Sequence, residues 1–490
     1  MKVLAKASKF ARLAAAVALA ALSHHPAAQA QITFTSVFSF NGLNGSGPMA
    51  GVVQGPDGAL YGTTTQGGNS ALGTVFRFDR AAATVSTLHH FSGADGSTLY
   101  SGVTVGKDGL LYGSTYSGGA ANLGTLFRLG TDGVNFSTLT EFTGGVDGAN
   151  PDDLGFVVAP DGTLFGTTST GGAAGGGTVF SVDPVTASVS TRYSFGAAAG
   201  VDAGLVAGRD GSWYGTTYTG GANSAGSVFR VDPATLAVTT LHEFSGPDGQ
   251  NPVPGSLTQA SDGYLYGTTQ LGGNGTVYRL DPKTLAFQQI HVFSGTTDGR
   301  APLGGLVESP DGYLYGTTVL GGQGYGTVYR VQLSTLAYGI VVRFGNSNGR
   351  SPSGNLVLAK DGALYGVTRL GGTYNAGTIY RLASADVTPP TITGIVATPS
   401  TLKPSGKLAT VNLAVAATDD VDPAPVSKII SVSANQPITT SDWAITGALT
   451  VSLRARSTDR AARIYTITVQ CTDASGNSST GTVTVTVKKS

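Results

Sequence analysis

Polar and apolar positions alternate in short runs from about residue 32 to residue 383, and turn-forming clusters break them up. The stretch around Asp311 shows the pattern. Gly305-Leu306-Val307 precedes Pro310-Asp311-Gly312. Tyr313 to Thr318 follows, then Gly321-Gly322, then Gly326 to Val331, then an apolar run from Leu336 to Phe344. Runs of this length, rich in β-branched and aromatic residues, predict strands, and the Gly, Pro and Asp clusters predict tight turns. Helical periodicity is absent. The unit therefore reads as four strands, A to D, in about fifty residues.

The unit recurs. A motif of the form Asp-Gly-x-Leu-Tyr-Gly-Thr-Thr places its Asp at Asp57, Asp108, Asp161, Asp210, Asp262, Asp311 and Asp361, at intervals of 51, 53, 49, 52, 49 and 50 residues. A Gly-Gly pair follows, as in Gly67-Gly68, Gly171-Gly172 and Gly321-Gly322. A Gly-Thr-Val-Phe-Arg segment or a variant comes next, as in Gly73 to Arg77 and Gly226 to Arg230. The apolar fourth run ends in Phe91, Phe142, Phe195, Phe244, Phe293 or Phe344. Four strands per fifty residues, seven times over, predict an all-β fold with a seven-bladed β-propeller over residues 31–383. The seventh copy lacks its own fourth strand, and residues 32–41 carry the missing pattern. That N-terminal strand is expected to complete the last blade and close the ring, leaving only short sheet edges.

After a linker at residues 384–391, glycine thins out while Val and Thr increase. Strand-like runs fall at 392–398, 409–417, 427–433, 448–456, 463–471 and 481–488. This pattern over residues 392–490 predicts an immunoglobulin-like β-sandwich. The single cysteine, Cys471, lies in one of these runs and reads as a core residue.

Composition narrows the class. Glycine is abundant (73 residues) and charge sparse (12%), while 40% of residues are apolar, which suits many short strands and excludes a disordered chain. Lys2, Lys6, Lys9 and Arg12 precede the apolar run Leu13 to Leu22, and Ala28-Gln29-Ala30 offers a small-x-small cleavage site. Residues 1–30 thus read as a secretory signal peptide, and the protein as secreted or held at the cell surface, with the periplasm as the alternative. Cleavage removes four cations and leaves 25 basic against 29 acidic residues, which argues against a nucleic-acid partner. No later run of eighteen apolar residues predicts a transmembrane span, and the last residues, Thr486 to Ser490, form no apolar anchor.

The repeat resembles the GloVer (Gloeo_Verruco) tandem repeat of exported bacterial proteins over residues 32 to 383, because the three elements quoted above recur together and in order. The resemblance implies a propeller-like repeat and a surface role, with no known reaction. Kelch repeats share the period and the Gly-Gly pair but carry a Tyr and Trp spacing that is missing here. The stretch Thr472 to Asn477 resembles the end of bacterial immunoglobulin-like and hyalin-repeat modules, which are commonly spacers or adhesion units.

Candidate chemistry is thin. His89, His242 and His291 share one repeat position on the outermost strand, so they sit on different blades and read as packing residues; no metal site is expected from them. The Asp-Gly pairs occur in all seven copies and read as hairpin turns. The B–C and D–A loops vary and share one face, which makes that face the expected binding surface. Its candidate ligand-binding residues are Tyr116, Tyr218, Tyr325 and Tyr374 in the B–C loops, and Asp95, Asp147, Asp248 and Asp298 in the D–A loops. In the C-terminal domain, Asp419, Asp420, Asp422 and Asp473 would bind calcium if their loops converge; the other reading is turn formation, and no further cofactor is expected. The expected function is that of a monomeric, non-catalytic binding or adhesion protein for an extracellular glycan or protein. The alternatives are a propeller-type lyase, hydrolase or lactonase working in the central funnel, and a structural surface or matrix component.

Overall fold

The computed structural model describes residues 32–151, 155–196, 204–253, 257–384, 388–419, 422, 424–457, 461–473 and 475–489. Residues 1–30, expected to form a leader, and residues 385–387 of the expected linker lie outside the described residues. The chain divides into two compact units, one spanning Thr33–Ala383 and one built from Ser384–Ser490. Both are all-β; among the described residues the helical structure is a single 3-10 turn, Asn346–Asn348.

In the first unit seven antiparallel sheets follow one another along the chain. Sheet 1 consists of Val53–Gln54, Leu60–Thr64, Thr74–Asp79 and Thr84–His90, hydrogen-bonded in that order. Sheets 2, 3, 4 and 6 repeat this plan. In sheet 5 the first strand comes in two segments, Gln250–Pro252 and Thr258–Gln259, both paired with Leu265–Leu271. Sheet 7 takes Arg350–Leu358, Leu364–Leu370 and Thr378–Ser384 from the end of the unit. Its fourth strand is Ile32–Ser39, from the start.

The repeated residues explain the strand packing. Gly62 pairs with Phe76 on the next strand, and the Phe76 ring lies over it so closely that a Cβ would come within 2.6 Å of the ring. Gly113, Gly215, Gly267, Gly316 and Gly366 stand in the same relation to Phe127, Phe229, Tyr278, Tyr329 and Tyr380. A strand glycine here serves close approach rather than a turn. Between the third and fourth strands of sheets 1 to 6 the register slips at one equivalent place, such as Val75/Phe76 and Val328/Tyr329, and sheet 3 slips a second time at Gly175/Thr178. A bulge at a fixed place adds twist to each sheet in the same way.

Neighbouring sheets share apolar cores. Tyr61, Val75 and Phe91 of sheet 1 pack with Leu111, Phe127 and Leu129 of sheet 2, and each later seam repeats the arrangement. At the seam between sheets 6 and 7, Phe344 meets Tyr380 with ring centroids 5.2 Å apart. The series then returns on itself. Ala363, Tyr365, Val367 and Ile379 of sheet 7 pack with Val52, Leu60, Phe76 and Phe78 of sheet 1, around the fully buried Phe40. Two hydrogen bonds cross this seam between residues about three hundred positions apart: Ser353 Oγ donates to the Pro48 carbonyl (3.2 Å), and the Lys360 N–H donates to Gln54 Oε1 (2.9 Å). Each fully buried Phe contributes about 2–3 kcal/mol of hydrophobic stabilisation.

The second unit has two four-stranded sheets. One comprises Thr391–Thr398, Leu408–Thr418, Thr450–Arg454 and Trp443–Gly447; the other comprises Thr401–Leu402, Ser478–Val487, Arg463–Thr472 and Val426–Ala434. Val411, Leu413, Val451 and Leu453 of the first share a core with Tyr465, Ile467, Val469 and Val485 of the second. Cys471 is buried, as its strand pattern predicts. Two strands escape the sequence pattern. Thr401–Leu402 is too short to alternate, and Trp443–Gly447 lies at a sheet edge with Ala444 to Gly447 all exposed, so it shows no apolar face.

Candidate functional site

The seven-fold polar groups are consumed by the scaffold. In each hairpin the Asp accepts the backbone N–H two residues on, as Asp57 Oδ1 does from Ala59 (3.1 Å). Except in the third hairpin, where Phe165 follows Asp161, its other oxygen takes the Tyr hydroxyl four residues on, as in Tyr61 to Asp57 at 2.9 Å, Tyr112 to Asp108 at 2.7 Å, Tyr214 to Asp210 at 2.6 Å and Tyr365 to Asp361 at 2.9 Å. Burial and the acceptor carboxylate push the Tyr112 and Tyr214 hydroxyls up to about 12, so both stay protonated at neutral pH. Burial pushes the Asp57 carboxyl up, but bonds from Arg77, Tyr61 and Ala59 outweigh it and hold the group below its ordinary range.

A second repeated device lies at the start of each B–C loop. The last Thr of the motif shares a buried hydroxyl–hydroxyl hydrogen bond with the first Thr or Ser of the next strand: Thr64 with Thr74 (2.8 Å), Thr115 with Thr125 (2.9 Å), and so on through Thr368 with Thr378 (2.8 Å).

The residue after that Thr is where the repeat diverges. The seven equivalent positions hold Thr65, Tyr116, Ser169, Tyr218, Gln270, Val319 and Arg369. The backbone places them alike: the N–H of Thr65, Tyr116, Ser169 and Val319 donates to the carbonyl of Gly47, Thr98, Asn150 and Ala301 at 3.0–3.2 Å. Their side chains differ. Thr65 and Ser169 turn their hydroxyls onto the Gly47 and Asn150 carbonyls. The Tyr218 hydroxyl donates to Gln270 Oε1 of the next sheet at 2.5 Å. The Tyr116 ring packs against Tyr100, with centroids 5.1 Å apart. Arg369 is exposed. Asn150 and Asn251 lock the two tyrosines from the following sheet, each donating its Nδ2 to the Tyr116 or Tyr218 carbonyl at 3.0 Å.

The residues expected to bind ligand thus separate into sets. Tyr116 and Tyr218 are half-buried members of this ring of positions. Tyr325 and Tyr374 lie further out in their B–C loops, 36% and 64% exposed. The four D–A aspartates are tied into their own loops. Asp95 accepts from Ser92 N–H and Oγ (2.8 and 2.9 Å) and meets His89 Nε2 at 2.8 Å. Asp248 pairs with His242 and Asp298 with His291, both at 3.0 Å. Asp147 accepts from the Thr143 N–H and hydroxyl at 2.8 and 2.6 Å. Burial pushes the Asp95, Asp248 and Asp298 carboxyls up, but the serine bonds lead in holding them below the carboxylate range. The signal for this pairing was present in the chain: an Asp follows each of the three histidines by six or seven residues. Gln270 and Arg369 were missed as site residues, although they align with Tyr116 and Tyr218 directly after the Thr-Thr pair or its variant.

In the second unit the Asp422 N–H donates to Asp419 Oδ1 (2.8 Å), a turn contact, and Asp420 lies outside the described residues. Asp473 accepts from the Asn477 N–H and Nδ2 at 2.8 and 2.9 Å.

These sheets, their shared cores and their repeated hairpins define a propeller-like, all-β repeat protein. The chain belongs to the Gloeobacter/Verrucomicrobia repeat family, which matches it over residues 25–206 and 201–412. Among solved structures it is similar to the extracellular domain of a hybrid two component system from B. thetaiotaomicron, at 13% identity and a TM-score of 0.50, covering 93% of this chain and 57% of that one. A second such extracellular domain from B. thetaiotaomicron gives 13% identity and a TM-score of 0.51, covering 94% and 58%. The chain therefore spans less than three fifths of those chains, and at this identity the likeness is one of fold. No curated protein matches the chain.

Proposed function

We propose that this is an exported binding protein: a seven-bladed β-propeller that presents its B–C and D–A loop face to an extracellular glycan or protein, followed by an immunoglobulin-like module acting as spacer or adhesion unit. The divergence at the seven equivalent loop positions carries this reading. Everything that builds the scaffold repeats from sheet to sheet, whereas Thr65, Tyr116, Ser169, Tyr218, Gln270, Val319 and Arg369 change from aromatic to amide to cation on one backbone frame. Diverse side chains on a rigid repeat make a recognition surface. Half-buried tyrosines offer flat, amphipathic platforms, and a guanidinium adds a multidentate donor.

A glycan array probed with the chain from Gln31 onward tests the reading. Binding to a defined glycan class, weakened about tenfold or more by Tyr116→Ala or Arg369→Ala at unchanged melting temperature, is the expected result. Release of shortened or unsaturated products from the bound glycan would overturn it in favour of an enzyme.

A further inference from the structure

We propose that the seam where sheet 7 closes on sheet 1 holds a binding site for a compact organic carboxylate. The site is independent of the loop-face reading, being built from different residues.

Two positions of the turn between the third and fourth strands of sheet 1 shape this seam. The residue after the turn's Asp is Pro in three sheets (Pro184, Pro233, Pro282) and Arg80 here. Three positions later, sheets 4, 5 and 6 have Leu236, Leu285 and Leu336, whereas sheet 3 has Ala187 and sheet 1 has Ala83. Leu236 and Leu336 pack onto the cores of their seams. With Ala83 in that place, a cleft of about 370 Å³ opens, lined by Val37, Phe78, Ala81, Tyr365 and Arg381 besides Arg80, Ala83 and Asp361. That volume suits a small ligand.

The charges in the cleft do not balance. In sheet 1 the hairpin Asp57 holds the arginine of its own sheet, Arg77, at 2.8 and 3.0 Å. The matching pair in sheet 7 is Asp361 and Arg381. There Arg80 reaches across the seam and takes Asp361, its Nη1 lying 2.6 Å from Oδ2, while its Nε donates to the Gly58 carbonyl (2.8 Å). The Arg381 guanidinium is left without a hydrogen bond or ion pair among the described residues, its backbone being held in the strand pairing with Tyr365. The other nearby carboxylates, Asp57 and Asp79, both face Arg77, at 2.8 and 3.6 Å. Two guanidinium groups thus line the cleft against one carboxylate, beside an apolar wall of Val37, Phe78, Ala81 and Ala83. A guanidinium fork pairs best with a planar carboxylate, and the wall fits a short apolar body attached to it.

Benzoate titrated into the full chain, followed calorimetrically, tests this, with benzamide as the uncharged isostere. Saturable benzoate binding without benzamide binding is expected. Arg381→Gln should weaken it about tenfold or more, the scale of one charge-assisted pair. Ala83→Leu should abolish it by filling the cleft, with the melting temperature maintained. The backbone already carries leucine in this conformation: φ is 52° at Ala83 and 57°, 61° and 59° at Leu236, Leu285 and Leu336. Absence of saturable benzoate binding, equal binding of benzamide, or unchanged affinity in Ala83→Leu would each overturn the proposal.

Discussion

The imidazole of His89 lies face to face on the ring of Phe136, with centroids 3.6 Å apart and planes within 2° of parallel. Phe136 belongs to the neighbouring sheet, so this stack crosses a seam. His242 on Phe287 (4.0 Å, 4°) and His291 on Tyr338 (3.7 Å, 2°) repeat it at two further seams. Each imidazole is anchored at Nε2 by the loop aspartate and edged by the Phe two residues on, as His89 is by Phe91 at 4.8 Å. Three loops are thereby fastened to three seams through one histidine each.

The stack makes folding sensitive to mildly acid pH. Burial holds the His89 and His291 imidazoles below the ordinary histidine range, outweighing the pull of Asp95 and Asp298; His90 adds a repulsive charge beside His89, and Tyr338 faces His291 as a neutral phenol. The folded chain therefore favours the neutral ring more than the unfolded chain does. This contribution is complete above about pH 6.5 and is lost as pH falls from there toward the lower folded value. The carboxylate contributions of Asp95 and Asp298 fade only below about pH 4. Urea midpoints should thus fall between pH 7 and pH 5, and a His89→Asn, His291→Asn double variant should show a flatter profile. An equal slope in that variant would assign the pH sensitivity to other groups.

Closure by the N-terminal strand should govern the stability of the whole ring. Phe40 is fully buried between sheets 7 and 1, 5.1 Å from Phe76, and Phe34 lies 5.6 Å from Phe344 and 5.7 Å from Tyr380. Phe40→Ala should cost about 3–5 kcal/mol in chemical denaturation. Deleting residues 32–39 strips Thr378–Ser384 of its outer partner and exposes the seam, so unfolding of the first unit should shift as one transition. Retention of the wild-type midpoint after the deletion would refute this.

The buried hydroxyl pairs should be costly to break. Thr64 Oγ1 accepts the buried Thr74 N–H (3.1 Å) and donates to the Gln66 carbonyl (2.9 Å). Thr64→Val preserves shape but strands these partners, for an expected loss of about 1–3 kcal/mol. Gly45→Ala should be at least as harmful: its φ is +118°, and a Cβ would stand 2.6 Å from the Thr64 side chain. Gly42→Ala, whose Cβ would meet nothing within 4 Å, provides a control for the left-handed backbone alone. Equal losses in the two glycine variants would show that the contact with Thr64 contributes nothing.

Much of this molecule is written locally in its sequence. The Asp-Gly turns, the strand alternation and the fifty-residue period are short-range properties, because a hairpin is specified by residues that neighbour each other in the chain. The position of Ile32–Ser39 on the last sheet was also readable, since it is the one strand missing from a regular series. Other features depend on residues that meet only when the ring closes. Nothing local to His89 marks it as lying on Phe136 of the next sheet. Nothing near Asp361 reveals that an arginine some 280 positions earlier would take it and leave Arg381 unmatched. Strand patterns record which face of a residue is buried, whereas the partner across a seam is chosen by packing between units far apart in the chain. The sequence alone determined the repeat and its turns. Only the tertiary structure decided which charges are satisfied and where the ring leaves a cleft, because both depend on contacts that exist only once neighbouring sheets have docked.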